Sequence, residues 1–267
     1  MDPQTTIGTG LILLGSKDLI LKILGPTADY LGGELKTFTE RGLNNLAHIF
    51  EIAGHKLGNR INEDGQVPPK ILKGIIAEGA FVDDELTAEY FGGVLASSRS
   101  QVSRDDRGSA LISLISRLSS YQIRTHYIFY YVFKNIFNDR KEELGLKNER
   151  LKLSIYMPSR IYGSAMGLTD REHIDIILPH AMFGLIRENL ISQYYTIGNK
   201  ELVSSALGQQ VDEDGIIYRI TPFGIELFLW AHGMPNVDII KLLNPDIEIS
   251  LNKEIHIQEG IKGISSE

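Results

Sequence analysis

The sequence predicts a mainly α protein: an N-terminal helical domain with a long helix, followed by a winged-helix-like C-terminal domain with a few short strands. Three observations carry this. From Ala28 to Leu57 apolar residues recur at a period near 3.6, while Glu34, Lys36, Glu40, Asn44 and Asn45 fill the opposite face. Residues 121–137 place Tyr121, Tyr127, Phe129, Tyr130, Tyr131, Phe133 and Phe137 on all sides of one helix. Such a helix is buried in a core or in an oligomer interface. Near the C-terminus an acidic turn (212–215, DEDG), a β-branched run (216–220, IIYRI) and a Thr221-Pro222 helix start closed by Gly233 follow in the order of a winged-helix unit.

The elements are read in chain order. Ser16 caps a short helix, 17–24, and Gly25-Pro26 breaks and restarts the chain. A long helix over 26–60 follows, with a bend at Gly32-Gly33 or Gly42. Residues 62–66 form a loop, and Pro68-Pro69 opens a helix to residue 79. The stretch 78–98 is a helix entered through Asp83, Asp84 and Glu85, where a helix N-terminus favours negative charge, and it ends in a platform of Gly92, Gly93, Ala96, Ser97 and Ser98. Asp105 or Asp106 starts a helix to about 118, and Ser119 or Ser120 caps the aromatic one. The charged stretch 138–152 is a solvated helix or a linker, which puts the domains at 1–155 and 156–257. In the second domain, Thr169-Asp170 starts one helix and 178–191 forms another. Residues 245–257 alternate as one or two short strands belonging to a β tail, and 258–267 are frayed.

Composition sets the function classes. The chain has 267 residues and a net charge of −7, which disfavours general nucleic-acid binding because that needs basic surface to release counterions. It contains no cysteine, so disulfides, cysteine nucleophiles and thiolate metal sites are excluded. No apolar run reaches the roughly 18 residues of a spanning helix, and the start lacks the basic region of a signal peptide. The expectation is a soluble, cytoplasmic chain without a transmembrane segment, with a membrane-surface role for 7–24 as a minor alternative.

Catalytic signals are sparse. Arg41 and His48 share the long helix and resemble the arginine–histidine pairing of HEPN-type ribonucleases, although they stand further apart. Paired in a dimer they could address a scissile phosphate; the alternative is a solvent-exposed arginine and a histidine at the helix edge. His48 and His55 are too far apart for a helical metal pair, and the remaining histidines are isolated, so no metal or cofactor is expected. Gly8 and Gly10 lack the setting of a dinucleotide loop, and no nucleophile elbow occurs. In the winged-helix-like part, Arg187 is the basic residue of the recognition region. Acids outnumber bases across 169–233, which favours a protein contact over DNA. The mixed-sign stretch 134–160 reads as a solvated face.

Three segments together resemble the Abi-alpha (abortive-infection alpha) family of bacterial proteins. They are 24–35 (LGPTADYLGGEL), 67–98 with its Leu-Ala-Ser ending, and 183–186 (FGLI) with 218–224 (YRITPFG). Gly92-Gly93 stands where the family pattern has a bulkier pair. The resemblance spans about residues 24–233 and implies a role in antiviral defence, without catalytic residues that transfer. The expected function is therefore a defence protein acting through a protein partner or self-assembly, with Tyr127, Tyr130, Tyr131, Phe133 and Arg187 as contact residues. A metal-independent ribonuclease using Arg41 and His48, and a DNA-binding regulator using 169–233, are the alternatives.

Overall fold

The structure is a computed structural model and describes residues 17–25, 40–102, 104–138, 140, 144, 146–247, 249 and 260–265. The expectations for 7–16, for the Pro26 restart and the Gly32-Gly33 bend, and for strands over 250–257 lie outside the described residues. Among the described residues the chain is mostly helical, with eleven α-helices and a small antiparallel sheet of four strands. It divides into two compact units, Met1–Ser120 with Trp230–Pro235, and Tyr121–Leu229 with Asn236–Glu267. The sequence suggests a boundary at residue 155; packing divides the chain at Ser120, because the aromatic helix belongs with the strands it covers.

The first unit contains α1 (Lys17–Leu24), α2 (Glu40–Leu57), α3 (Pro69–Gly79), α4 (Glu85–Ser98) and α5 (Gly108–Ile115). A 3-10 turn, Gly58–Asn62, follows α2. Pro69 begins α3, where its missing N–H is no loss. Asp84 caps α4, its carboxylate accepting from Thr87 N at 2.9 Å and from Thr87 Oγ1 at 2.7 Å. Helix α5 starts later than expected. Of Asp105 and Asp106, either of which is expected to start it, Asp105 instead takes a two-pronged bond from Arg107, at 2.8 and 2.9 Å.

Helix α4 is buried on nearly every side, from Leu86 to Ser98. Its small residues are what allow this. A Cβ at Gly92 would stand 2.5 Å from Ile52 Cγ2 and 3.1 Å from Ile49 O, so α2 and α4 meet there backbone to side chain. A Cβ at Gly93 would overlap the carbonyl of Ala231. Ser97 Oγ donates to Trp230 O at 2.9 Å, and Arg107 lies over the Trp230 ring, 5.1 Å from its centre. Arg60 donates to Gly233 O at 2.8 Å, which fastens the other end of the Trp230–Pro235 segment. Next to it Lys56 and Glu89 form an ion pair at 2.6 Å, both largely shielded from water. Burial lowers the Lys56 pKa below the usual lysine range, against the opposing pull of Glu89.

The second unit contains most of α6 (Ser120–Ile136), then α7 (Lys147–Lys152), β1 (Leu153–Pro158), α8 (Ser159–Met166), α9 (Ile174–Arg187), β2 (Thr196–Gly198), α10 (Lys200–Leu207), β3 (Gly215–Tyr218), the bulk of α11 (Pro222–Ala231) and β4 (Lys262–Ser265). The sheet order is β2-β3-β1-β4, antiparallel throughout, with Ile155 opposite Tyr218 and Gly263. Strand β1 is not legible in the sequence because it does not alternate: LSIYMP is buried along its whole length. Within 258–267, expected to be frayed, Lys262–Ser265 pairs with β1 and Gly263 accommodates Ile136 and Phe137. Instead of two helices over 169–191 there is one, Ile174–Arg187, with Pro179 inside it. Pro179 cannot bond to the carbonyl one turn earlier and its ring crowds that carbonyl, but the burial of Ile177, Leu178, Ala181, Met182 and Leu185 keeps the helix continuous.

Replacing a helical glycine by alanine ordinarily stabilises by about 1 kcal/mol. At Gly93 the sign is expected to reverse: Gly93→Ala should lower the unfolding free energy by about 1–3 kcal/mol, read by urea denaturation, because the obstructing atom is backbone and cannot rotate away.

Candidate functional site

The two residues proposed from the sequence as catalytic lie on α2, at the surface of the first unit. Arg41 Nη2 meets Asp83 Oδ2 at 2.9 Å, and His48 Nε2 meets Glu85 Oε2 at 2.9 Å. Asp83 and Glu85 flank the N-cap of α4, so the acidic start of α4 and the Arg41–His48 face of α2 are one surface. Each cation or imidazole faces a carboxylate of its own, and both pairs are well exposed. Pairs of this kind contribute little to stability, about 0–1 kcal/mol. A carboxylate beside each group also repels the phosphate that a ribonuclease would need to seat.

A cleft of about 760 Å³ in the same unit is lined by Leu21, Lys22, residues 61–66 and residues 99–101. Arg99, which the sequence left in a polar gap, forms its floor. Its guanidinium donates to the carbonyls of Lys22 at 2.9 Å and Arg60 at 3.0 Å, and also to Glu63 O. These bonds hold the turn after α2 in place. Burial lowers the Arg99 pKa, against the opposing pull of Glu63.

Helix α6 is the centre of the second unit rather than a contact surface. Tyr127, Tyr130 and Phe133, expected as contact residues, are buried. Phe129 stacks on Tyr218 with ring centres 3.8 Å apart, and Tyr127 and Tyr130 both lean on Phe228. Tyr130 Oη donates to Leu190 O at 2.6 Å and accepts from Thr221 N at 3.1 Å. His126 Nε2 lies 3.1 Å from Gly224 O, and a Cβ at Gly224 would strike the Tyr130 hydroxyl. Thr221 Oγ1 caps α11 by accepting from Gly224 N at 3.1 Å. Burial pushes the Tyr130 hydroxyl far above its usual range and Tyr162 up to about 12, so both stay protonated. Tyr131 is half-buried against Tyr127.

One exposed apolar feature of this unit is the outer face of α9, apart from the scattered Leu146, Leu202 and Ile240. Ile176 and Phe183 stand two turns apart on one side and keep 68% and 57% of their surface accessible. His180 lies between them, also exposed, and Arg187 continues the line. Tyr195 meets Phe183 edge-on at 6.4 Å, and Tyr194 beside it is exposed. The inner face is seated on α6: Gly184 leaves space for Gln122, whose amide donates to His180 O at 3.3 Å. Arg187, the remaining expected contact residue, is exposed but bonded to Glu188 at 3.0 Å. Sequence reasoning misses Ile176 and Phe183 because apolar residues of α9 extend beyond its core-facing side; the signal available is their spacing of seven, outside the stripe that fills the core.

The approach to α9 is set by Glu172. Its carboxylate accepts from Tyr121 Oη at 2.6 Å, and from Thr169 N and Thr169 Oγ1 at 2.8 Å. Tyr121 first, then Thr169, hold its pKa at about 2. Among the described residues no group of three or more His, Asp or Glu is placed to hold a metal ion, and no helix is long and apolar enough to cross a membrane. Comparison of the chain with protein-family models, curated proteins and solved structures found no match.

Two measurements check this geometry. Tyr130→Phe is expected to cost about 1–3 kcal/mol in urea denaturation, because it strands the buried Thr221 N–H. Glu172 has a folded pKa depressed below its ordinary 4.5, so its contribution is present above pH 4.5 and lost as pH falls toward 2. Glu172→Gln should therefore flatten that acid limb in thermal melts while leaving the neutral limb unchanged in slope.

Proposed function

We propose that this chain is a cytoplasmic protein-binding component of bacterial antiviral defence, contacting a protein partner or another copy of itself through the exposed face of α9. The observation that carries the binding reading is the pair Ile176 and Phe183, large apolar side chains on one helical face without cover among the described residues. The defence setting is supported by the resemblance to the Abi-alpha family. Within the described part of that resemblance, 183–186 lies in α9 and 218–224 forms the Tyr130–Thr221–Gly224 contact behind it. Residues 26–35 lie outside the described residues.

A winged-helix reading of the second unit is supported by the β2-β3-β1 order and by β1, α8 and α9 preceding β2. Helix α10 stands between β2 and β3, where a winged helix has a hairpin wing. On that reading α9 occupies the recognition position. A DNA reader presents Arg, Lys, Asn or Gln there. Helix α9 presents Ile176, His180 and Phe183, and its arginine is paired with Glu188. This favours a protein contact over the DNA-binding alternative, as the Asp83 and Glu85 pairs disfavour the ribonuclease one.

The test is protection of a bacterial host challenged with phage. The full chain should protect, Ile176→Ser and Phe183→Ser should abolish protection without lowering the melting temperature, and His48→Ala should leave it intact. Protection lost with His48→Ala and kept with Phe183→Ser would overturn the reading.

A further inference from the structure

We infer that the α9 stripe takes a basic amphipathic helix of a partner protein; the inference rests on the protein-binding reading above and adds the partner's chemistry. Ile176 and Phe183 are separated by seven residues, about 10 Å along the axis. That is the i, i+7 repeat with which one amphipathic helix meets another. The Tyr195 ring, edge-on to Phe183, and the exposed Tyr194 extend the apolar surface beyond the helix itself.

Charge selects among occupants. At the N-terminal end of the stripe stand the exposed carboxylates Asp170 and Asp175, with Arg171 as the opposing cation. At the other end Arg187 is neutralised by Glu188. Glu172 is held ionised by Tyr121 and Thr169. Residues 169–188 thus carry more negative than positive charge around an apolar centre. Nucleic acid and anionic lipid are repelled by that rim. A second copy meeting antiparallel through the same face would set the Asp170 and Asp175 end of one stripe against Arg187 of the other, which Glu188 already neutralises. A helix with Leu or Phe on one face and Lys or Arg beside it satisfies both the apolar centre and the acidic rim.

The experiment titrates the full chain, by fluorescence anisotropy, with a labelled Leu/Lys amphipathic helical peptide and with its Leu/Glu counterpart. The Leu/Lys peptide is expected to bind and the Leu/Glu peptide to bind much more weakly. Ile176→Ser and Phe183→Ser should each weaken the Leu/Lys peptide by about tenfold or more. Equal binding of the two peptides, or Leu/Lys binding that survives both substitutions, overturns the inference. So does duplex DNA binding lost with Phe183→Ser, or a dimer in sedimentation that Phe183→Ser dissolves. Should the peptides fail to discriminate while Phe183→Ser still abolishes phage protection, the basic-helix inference falls and the protein-binding reading stands. Peptide discrimination together with intact protection in Phe183→Ser upholds the basic-helix preference of α9 and overturns its role in defence.

Discussion

The constraint on which the first unit depends is the absence of side-chain volume at Gly92 and Gly93. Helix α4 is enclosed on two sides, by Ile49 and Ile52 of α2 and by the backbone at Ala231. An interior helix of ordinary residues would hold its neighbours at about 8–10 Å between axes. Two adjacent glycines let neighbours approach closely on two faces at once. The helix loses conformational preference by carrying them, and the surrounding burial offsets it.

The second unit meets a similar demand with polar atoms. The aromatic helix α6 passes through its interior, and a tyrosine there must find partners for its hydroxyl. Tyr130 finds them in Leu190 O and Thr221 N, at the point where the chain leaves α9 and where it turns into α11. Tyr218 does the same with Phe129 O at 3.0 Å. These bonds lock α9 and α11 to α6 in one orientation, and that orientation decides which side of α9 faces water. The exposed stripe is thus a consequence of where buried hydroxyls found acceptors, as much as of α9's own sequence.

Charged residues contribute differently in the two units. In the first, the acidic start of α4 is engaged by the α2 surface: Asp83 pairs with Arg41, Glu85 with His48, and further along Glu89 with Lys56. The residues whose types suggested catalysis are part of this series of cross-helix pairs. In the second, Glu172 fixes the approach to α9, and Arg187 is held by Glu188. What remains exposed on the outer face of α9 is the apolar surface of Ile176 and Phe183, in a stretch that carries more acidic than basic residues.

The helical class is legible in the chain because 3.6-residue periodicity, proline starts and cap residues are local signals. Pro69, Asp84, Thr221-Pro222 and Gly233 act at the helix ends where their residue types place them. The small-residue ending of α4 is likewise readable as a packing feature. The remaining features arise from contacts between distant segments. Strand β1 has no alternation because both its faces are covered. Strand β4 forms only because β1 offers it a partner. The aromatic residues expected as contacts become core once Tyr218 and Phe228 fold against them. Ile176 and Phe183 stay exposed because a helix with apolar residues on more than one side can bury only the side that meets a neighbour, and which side that is depends on contacts far away in the chain.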